Sequence, residues 1–247
     1  MQESPLPSPD WCLFLDVDGT LVELTESPRG GRADENLKAL LEKVRVTLDG
    51  ALALISGRSI RHLDALFAPL RLPAAGLHGV ERRDAAGLIH GNDRLDKELD
   101  GARSALRAFI EKNPAAVLED KRRTLAIHYR AQPRLESALR QLTADIAAAS
   151  SGRYHVQEGN MVFELKPPGF SKATAIEAFL NEAPFRRRTP VFVGDDLTDR
   201  DGFDVIDARG GISIAVGDRV RAQMRLDDPA AVHALLRRIV TLRPERR

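Results

Sequence analysis

The sequence predicts an α/β fold: a Rossmann-like core on a parallel sheet, interrupted by a smaller inserted α+β module. Three observations predict it. Residues 12–15, Leu52–Ile55, residues 189–193 and Ile212–Val216 are short apolar runs that read as strands, and the first has none of the alternation of a half-solvated strand. Between the first two lies a helical stripe, Leu37, Leu40, Leu41, Val44 and Leu48, so strand, helix and strand imply a right-handed crossover and parallel pairing. Between about residues 97 and 167 the pattern changes to helix-plus-hairpin units, which belong to an α+β module and not to a parallel sheet. Chain order is therefore core (1–96), cap (97–167), core (168–247).

Composition bounds the function. With 247 residues, 43% apolar and 30% charged, the chain can bury a substantial core and fold unaided. Lys plus Arg number 37 against 36 for Asp plus Glu, so no global field attracts nucleic acid or an anionic membrane, and any anion must be bound locally. The one cysteine, Cys12, lies inside the first strand and reads as core. No basic region leads into an apolar stretch near the N-terminus and no run approaches a membrane span, so we expect a cytoplasmic protein with no nucleic-acid or membrane partner. A monomer is the expected state, although no feature of the sequence fixes it.

Residues 1–10, with Pro5, Pro7 and Pro9, suit a mobile tail. After the first strand a polar loop spans residues 23–32, and Asp34 caps the first helix. The second strand ends at Ser56-Gly57-Arg58; a helix over residues 59–67 follows, then Ala74–Gly76, Leu77-His78-Gly79 and a hairpin over residues 80–90 turning at 84–87. In the cap, Ala102, Ala105, Leu106, Phe109 and Ile110 form one helical stripe and Leu135, Ala138, Leu139, Leu142 and Ile146 another. Strands are expected at 116–118, 124–129, 154–157 and 161–165, the last two around a Glu158-Gly159-Asn160 turn, and the two halves suggest an internal duplication. Pro167-Pro168-Gly169 bounds the cap, a helix over 171–180 resumes the core, and a helix near Pro229–Val240 closes it.

The chemistry gathers where the strands end. Asp16 and Asp18 follow the first strand, and Gly19 lets the backbone turn close to a ligand. The four fixed positions of D-x-D-G-T arise by chance in roughly one of several hundred such chains at average usage, so an ordinary Asp/Gly turn is the weaker reading. Ser56 emerges on the same sheet edge, Gly194-Asp195-Asp196-Leu197-Thr198-Asp199 follows the 189–193 strand, and Lys172 begins the helix before it. Five crowded carboxylates repel one another and call for a cation. All-oxygen donors, with no Cys or His cluster, select a hard ion, Mg²⁺ rather than Zn²⁺ or Fe.

In order, DVDGT, SGR, Lys172 and GDDLTD resemble the four motifs of the haloacid dehalogenase-like (HAD) phosphohydrolases. The resemblance implies that Asp16 attacks phosphorus to form an aspartyl-phosphate while Asp18 serves as acid and then base. It implies that Ser56 and Lys172 hold phosphoryl oxygens, that Asp16, the Asp18 carbonyl and Asp195 bind Mg²⁺, and that Asp196 and Asp199 complete or orient the metal shell.

A narrower resemblance covers essentially the whole chain: LHG, EDKRRTLAIHYR, EGNMVFELKP and GDDLTDRDGF look like the trehalose-6-phosphate phosphatases. It implies hydrolysis of trehalose 6-phosphate, with Gly19, Arg58, His78 and Gly79 in the core and Glu119, Lys121, His128, Arg130, Glu158 and Glu164 in the cap as substrate-binding residues. A sucrose-phosphate or mannosyl-phosphate phosphatase of the same superfamily, and a phospho-binding domain without turnover, are the alternatives. Walker-type nucleotide binding is disfavoured because no G-x-x-x-x-G-K-[ST] occurs.

Overall fold

The computed structural model describes residues 6–23, 33–91, 99–159 and 161–242. It divides into two compact units, the first built from the described residues of Met1–His90 and Ser171–Arg247, the second from those of Gly91–Phe170.

The first unit is an eight-stranded sheet. In chain order it contains β1 (Trp11–Leu15), α1 (Glu35–Thr47), β2 (Leu52–Ile55), α2 (Ile60–Phe67), β3 (Ala74–Gly76), β4 (Glu81–Arg83) and β5 (Ile89–Gly91). The second unit supplies α3 (Asp100–Lys112), β6 (Val117–Asp120), β7 (Leu125–His128), α4 (Glu136–Ala149), β8 (His155–Gly159) and β9 (Val162–Lys166). The first unit resumes with α5 (Lys172–Leu180), β10 (Thr189–Gly194), α6 (Arg200–Ala208), β11 (Ile212–Val216), β12 (Met224–Leu226) and α7 (Pro229–Val240).

Strand order in the large sheet is β12-β11-β10-β1-β2-β3-β4-β5, parallel from β12 to β3 and antiparallel between β3 and β4. All five residues of β1 are buried, as a central strand covered on both faces requires. The chain leaves β1 toward β2 and later returns on its other side as β10, so the order of strands reverses at β1. That switch point opens a crevice at the carboxyl ends of β1 and β10. In the core of this unit Phe14, Phe179 and Phe185 pack in one aromatic cluster, with ring centroids 5.0–6.0 Å apart. Asp34 caps α1 by accepting from the Leu37 N–H at 2.7 Å, and Ser59 caps α2 in the same way at 3.2 Å.

Two elements were not legible in the sequence. Helix α6 is rich in Asp and carries Gly202, where a Cβ would lie 2.6 Å from Phe192, so glycine lets helix and strand approach. Strand β12 has three residues and owes its place to the β11 ladder. At the N-terminus Pro9 and Asp10 are tied to Arg188 and Thr189 through their carbonyls, so the tail expected over 1–10 is held at its end. Residues 1–5, the loop over 24–32, the core-to-cap junction at 96/97 and Asn160 lie outside the described residues.

The second unit is a four-stranded antiparallel sheet in the order β6-β7-β9-β8, two helix-plus-hairpin units joined through β7 and β9. It has its own core, in which Leu106 and Leu139 of the helices meet Leu125, Ile127, Phe163 and Leu165 of the strands. Side chains alternate across a strand, so the intervening residues of β7 and β9 belong to the opposite face. Among the described residues no helix is long and apolar enough to cross a membrane.

Candidate active site

Asp16 is the first residue beyond β1, its N–H bonded to the Val193 carbonyl of β10 at 2.9 Å. Its carboxylate is buried, and Oδ1 accepts from Lys172 Nζ at 2.8 Å. Lys172 opens α5 behind the Ser171 cap, and its ammonium also donates to Asp199 Oδ1 at 2.6 Å. The second oxygen of Asp199 accepts from the N–H groups of Asp195 and Asp196 at 3.1 and 3.0 Å. Asp199 is therefore wholly occupied in shaping the turn after β10 and holding the lysine. Asp196, exposed, caps that turn by accepting from the Leu197 N–H. A Cβ on Gly194 would overlap the Asp199 carboxyl, which is why glycine ends β10.

Three buried carboxylates, Asp16, Asp195 and Asp199, bring ligand oxygens within 4.8 Å of one another. One ammonium faces them. Burial pushes the Asp16 carboxyl well above the ordinary carboxylate range; Lys172 opposes that, and the charges of Asp199 and Asp195 add to it. Asp195 is pushed up to about 6 by burial and then by Asp199. Burial alone would lower the Lys172 pKa, but Asp16 and Asp199 outweigh it and hold the lysine above its ordinary value, fully charged. Among the described residues Asp195 Oδ1 is buried without a hydrogen-bond partner. An orphaned buried oxygen, a surplus of negative charge and an all-oxygen donor set fit a hard divalent cation. Asp199 already accepts from three N–H donors, so Asp16 and Asp195, with fewer such donors, are the carboxylates best placed to hold one.

Gly19 closes the same corner. Its φ is +83°, and a Cβ there would overlap the Asp195 carboxylate. Gly19→Ala should cost about 2 kcal/mol or more, from left-handed strain and displacement of Asp195, and should weaken cation binding. Urea denaturation with and without Mg²⁺ checks this; a wild-type midpoint and wild-type Mg²⁺ response would refute it.

The other core residues are gathered by β2 and β3. Both Asp18 oxygens accept from Arg58, from Nε at 2.7 Å and from Nη2 at 2.6 Å. This pairing of acid/base candidate with SGR arginine was not foreseen. Ser56 is buried just beyond β2; its Oγ accepts from the Arg58 N–H at 3.1 Å and its carbonyl from the His78 N–H at 3.0 Å. His78 has φ +53°, and its ring lies so close to Gly57 that a Cβ there would be 2.7 Å from Nε2. Gly79, at φ +97°, seats this turn against the Ser171 carbonyl at the start of α5. His78 and Gly79 thus support the turns that carry Ser56, Arg58 and Lys172.

In the second unit the sheet register groups four of the six expected residues. Glu119 lies opposite Ala126, and Ala126 opposite Glu164, on the face away from the helices. Glu164, 6% exposed, accepts from Thr124 Oγ1 at 2.7 Å and Lys121 Nζ at 3.3 Å. Lys121 approaches Glu119 at 3.9 Å, and Glu119 pairs with His128 at 3.1 Å. Burial would raise the Glu119 pKa, but the His128 hydrogen bond and Lys121 outweigh it and hold the carboxyl below its ordinary range. Arg130 is exposed two residues further on. Glu158 does not join them: it lies opposite Phe163, on the helix side, and is paired with Arg140 of α4. Gln157, opposite Glu164, and Lys166, which donates to Gln157 at 2.9 Å, share the polar face and were missed. Alternation along β8 and β9 was the signal that could have found them.

A parallel sheet whose strand order reverses at β1, with Asp16 and Asp18 at that point, Lys172 on a later helix and Asp195 after β10, defines a core of the HAD-like class. The trehalose-phosphatase family model matches residues 14–229. The chain is 41% identical to the trehalose-6-phosphate phosphatase of Escherichia coli (strain K12), over 100% of this chain and 93% of that protein. It is 36% identical to a "Probable trehalose-phosphate phosphatase" of Sinorhizobium fredii, over 92% and 85% respectively. The crystal structure of a "trehalose-6-phosphate phosphatase related protein" superposes with a TM-score of 0.77 at 26% identity, covering 92% of this chain and 96% of that one. The chain belongs to the trehalose-phosphatase family.

Proposed function

We propose that this protein hydrolyses trehalose 6-phosphate to trehalose and phosphate. The observation that carries the reading is the Lys172 ammonium, buried between Asp16 and Asp199 beside the orphaned Asp195 oxygen, in a chain of this family. Asp16 attacks phosphorus, forming an aspartyl-phosphate, while Asp18 gives its proton to the departing sugar oxygen. Asp18 then takes a proton from water, which attacks phosphorus and returns Asp16 as a carboxylate. Lys172 and Ser56 hold the phosphoryl oxygens. Both Asp18 oxygens accept from Arg58 in the resting structure, so before the acid step Arg58 must let go and Asp18 must take up a proton from solvent. Mg²⁺, which Asp16, Asp195 and the Asp18 carbonyl would hold, supplies the charge that lets an anionic nucleophile meet an anionic substrate.

In this reading the second unit is the cap, and the polar face carrying Glu119, Lys121, His128 and Glu164 supplies the sugar contacts; Asp196 and Asp199 orient the metal shell. The enzyme works as a cytoplasmic monomer, the oligomeric state being checked by light scattering. The deciding experiment is phosphate release from trehalose 6-phosphate, sucrose 6-phosphate, glucose 6-phosphate and an aryl phosphate, with and without Mg²⁺. Preference for another sugar phosphate overturns the substrate, and undiminished turnover in EDTA overturns the cofactor.

Glu164→Ala should lower kcat/KM for trehalose 6-phosphate by ~1–3 kcal/mol, the worth of hydrogen bonds to a charged group, and barely touch the aryl phosphate. Equal losses on both substrates would show that Glu164 holds the fold and not the sugar.

A further inference from the structure

Beyond Asp195, where β11 and β12 end, lies a hollow of about 290 Å³. Glu23, Asp195, Asp218, Asp227 and Asp228 are among the residues that line it, and Arg219 is the one basic residue among its described lining. Arg219 sits on the loop between β11 and β12, and that loop is pinned at both ends. The Gly217 N–H donates to the Leu226 carbonyl at 2.9 Å, and the Gln223 N–H to the buried Ser213 hydroxyl at 3.0 Å. So held, Arg219 Nη1 comes to 4.0 Å from Asp195 Oδ2, with its side chain 53% exposed. The Asp195 carboxylate fills the space that a Cβ at Gly19 would need, so Gly19 leaves it room to sit at this corner.

We propose that Arg219 is a positioning residue that keeps Asp195 partly neutralised and so limits how tightly the site takes a divalent cation. Two cations cannot share one carboxylate without repulsion, and the surrounding acidic side chains would otherwise concentrate positive charge at this corner. The pair is half in solvent, so the effect is moderate and salt-sensitive. The inference rests on Asp195 being a cation ligand.

The test is calorimetric titration of the full chain with Mg²⁺ alone, at low and at 0.5 M salt. Arg219→Gln should bind about two- to fivefold more tightly than wild type at low salt, a factor set by the usual worth of exposed ion pairs, and the gap should shrink at high salt. Arg219→Lys, which keeps the charge, should bind as wild type does. Unchanged or weaker binding by Arg219→Gln overturns the proposal, as does an Arg219→Lys that behaves like Arg219→Gln. Wild type that takes up no Mg²⁺ overturns the cation reading of Asp195, and this inference with it; circular dichroism of each variant separates misfolding from either result.

Discussion

Asp16→Asn should abolish turnover, by on the order of 10⁴-fold or more, while leaving the protein folded and, without metal, more stable. An amide has nearly the volume of the carboxylate but is no nucleophile, so the chemical step is lost and not merely slowed. Stability moves the other way because burial and the neighbouring Asp199 and Asp195 carboxylates already push the Asp16 pKa well up. Neutral asparagine removes one of three clustered negative charges, and Lys172 keeps its bond to Asp199. Two measurements check this: kcat for trehalose 6-phosphate, and the metal-free Tm, which should lie above that of wild type. Substantial Mg²⁺-dependent activity in the variant would show that another group attacks phosphorus.

Lys172→Ala should be the most destabilising single change in the core, costing ~3–5 kcal/mol at pH 7.5. The ammonium joins two buried carboxylates that are 156 and 27 residues away in sequence, and its removal leaves them facing each other and Asp195 without an internal cation. Activity should fall with it, since Ser56 alone then remains to hold the phosphoryl oxygens and no charge is left among them. The pH dependence has a definite sign. Asp195 has a folded-state pKa of about 6 against an ordinary value of 3.8, so the folded protein binds more protons than the unfolded one between those limits. The resulting penalty, on the order of 3 kcal/mol, is absent at the acid end of that window and complete above about pH 6. That penalty is already present in wild type; Lys172 lowers the pKa values of both Asp16 and Asp195, so its removal raises them further and enlarges the penalty above that window. Acid should therefore rescue Lys172→Ala in part, and Mg²⁺ should raise Tm more at pH 7.5 than at pH 5. Chemical denaturation at both pH values decides; equal destabilisation at pH 5 and 7.5 would mean that lost packing, not uncompensated charge, is the cause.

The amino-acid sequence by itself determined the local periodicities and the points where they stop. The buried run of β1 ending at Asp16, the Asp34 cap of α1, and the carboxylates after β10 all follow from which residues tolerate a strand interior, a helix start or a tight turn. Because parallel strands present their carboxyl ends on one edge, the grouping of Asp16, Asp18, Ser56 and Asp195 followed too. What only the tertiary structure decided is which atom meets which. That Asp199 spends both oxygens on Lys172 and two backbone N–H groups, that Arg58 clamps Asp18, and that Arg219 reaches Asp195 depend on crossovers and packing between distant segments. Glu158 shows the limit most plainly. One residue of register separates it from Gln157, and in a strand one residue is the difference between the polar face and the helix-covered one, a choice made by the ladder with β9 and not by composition.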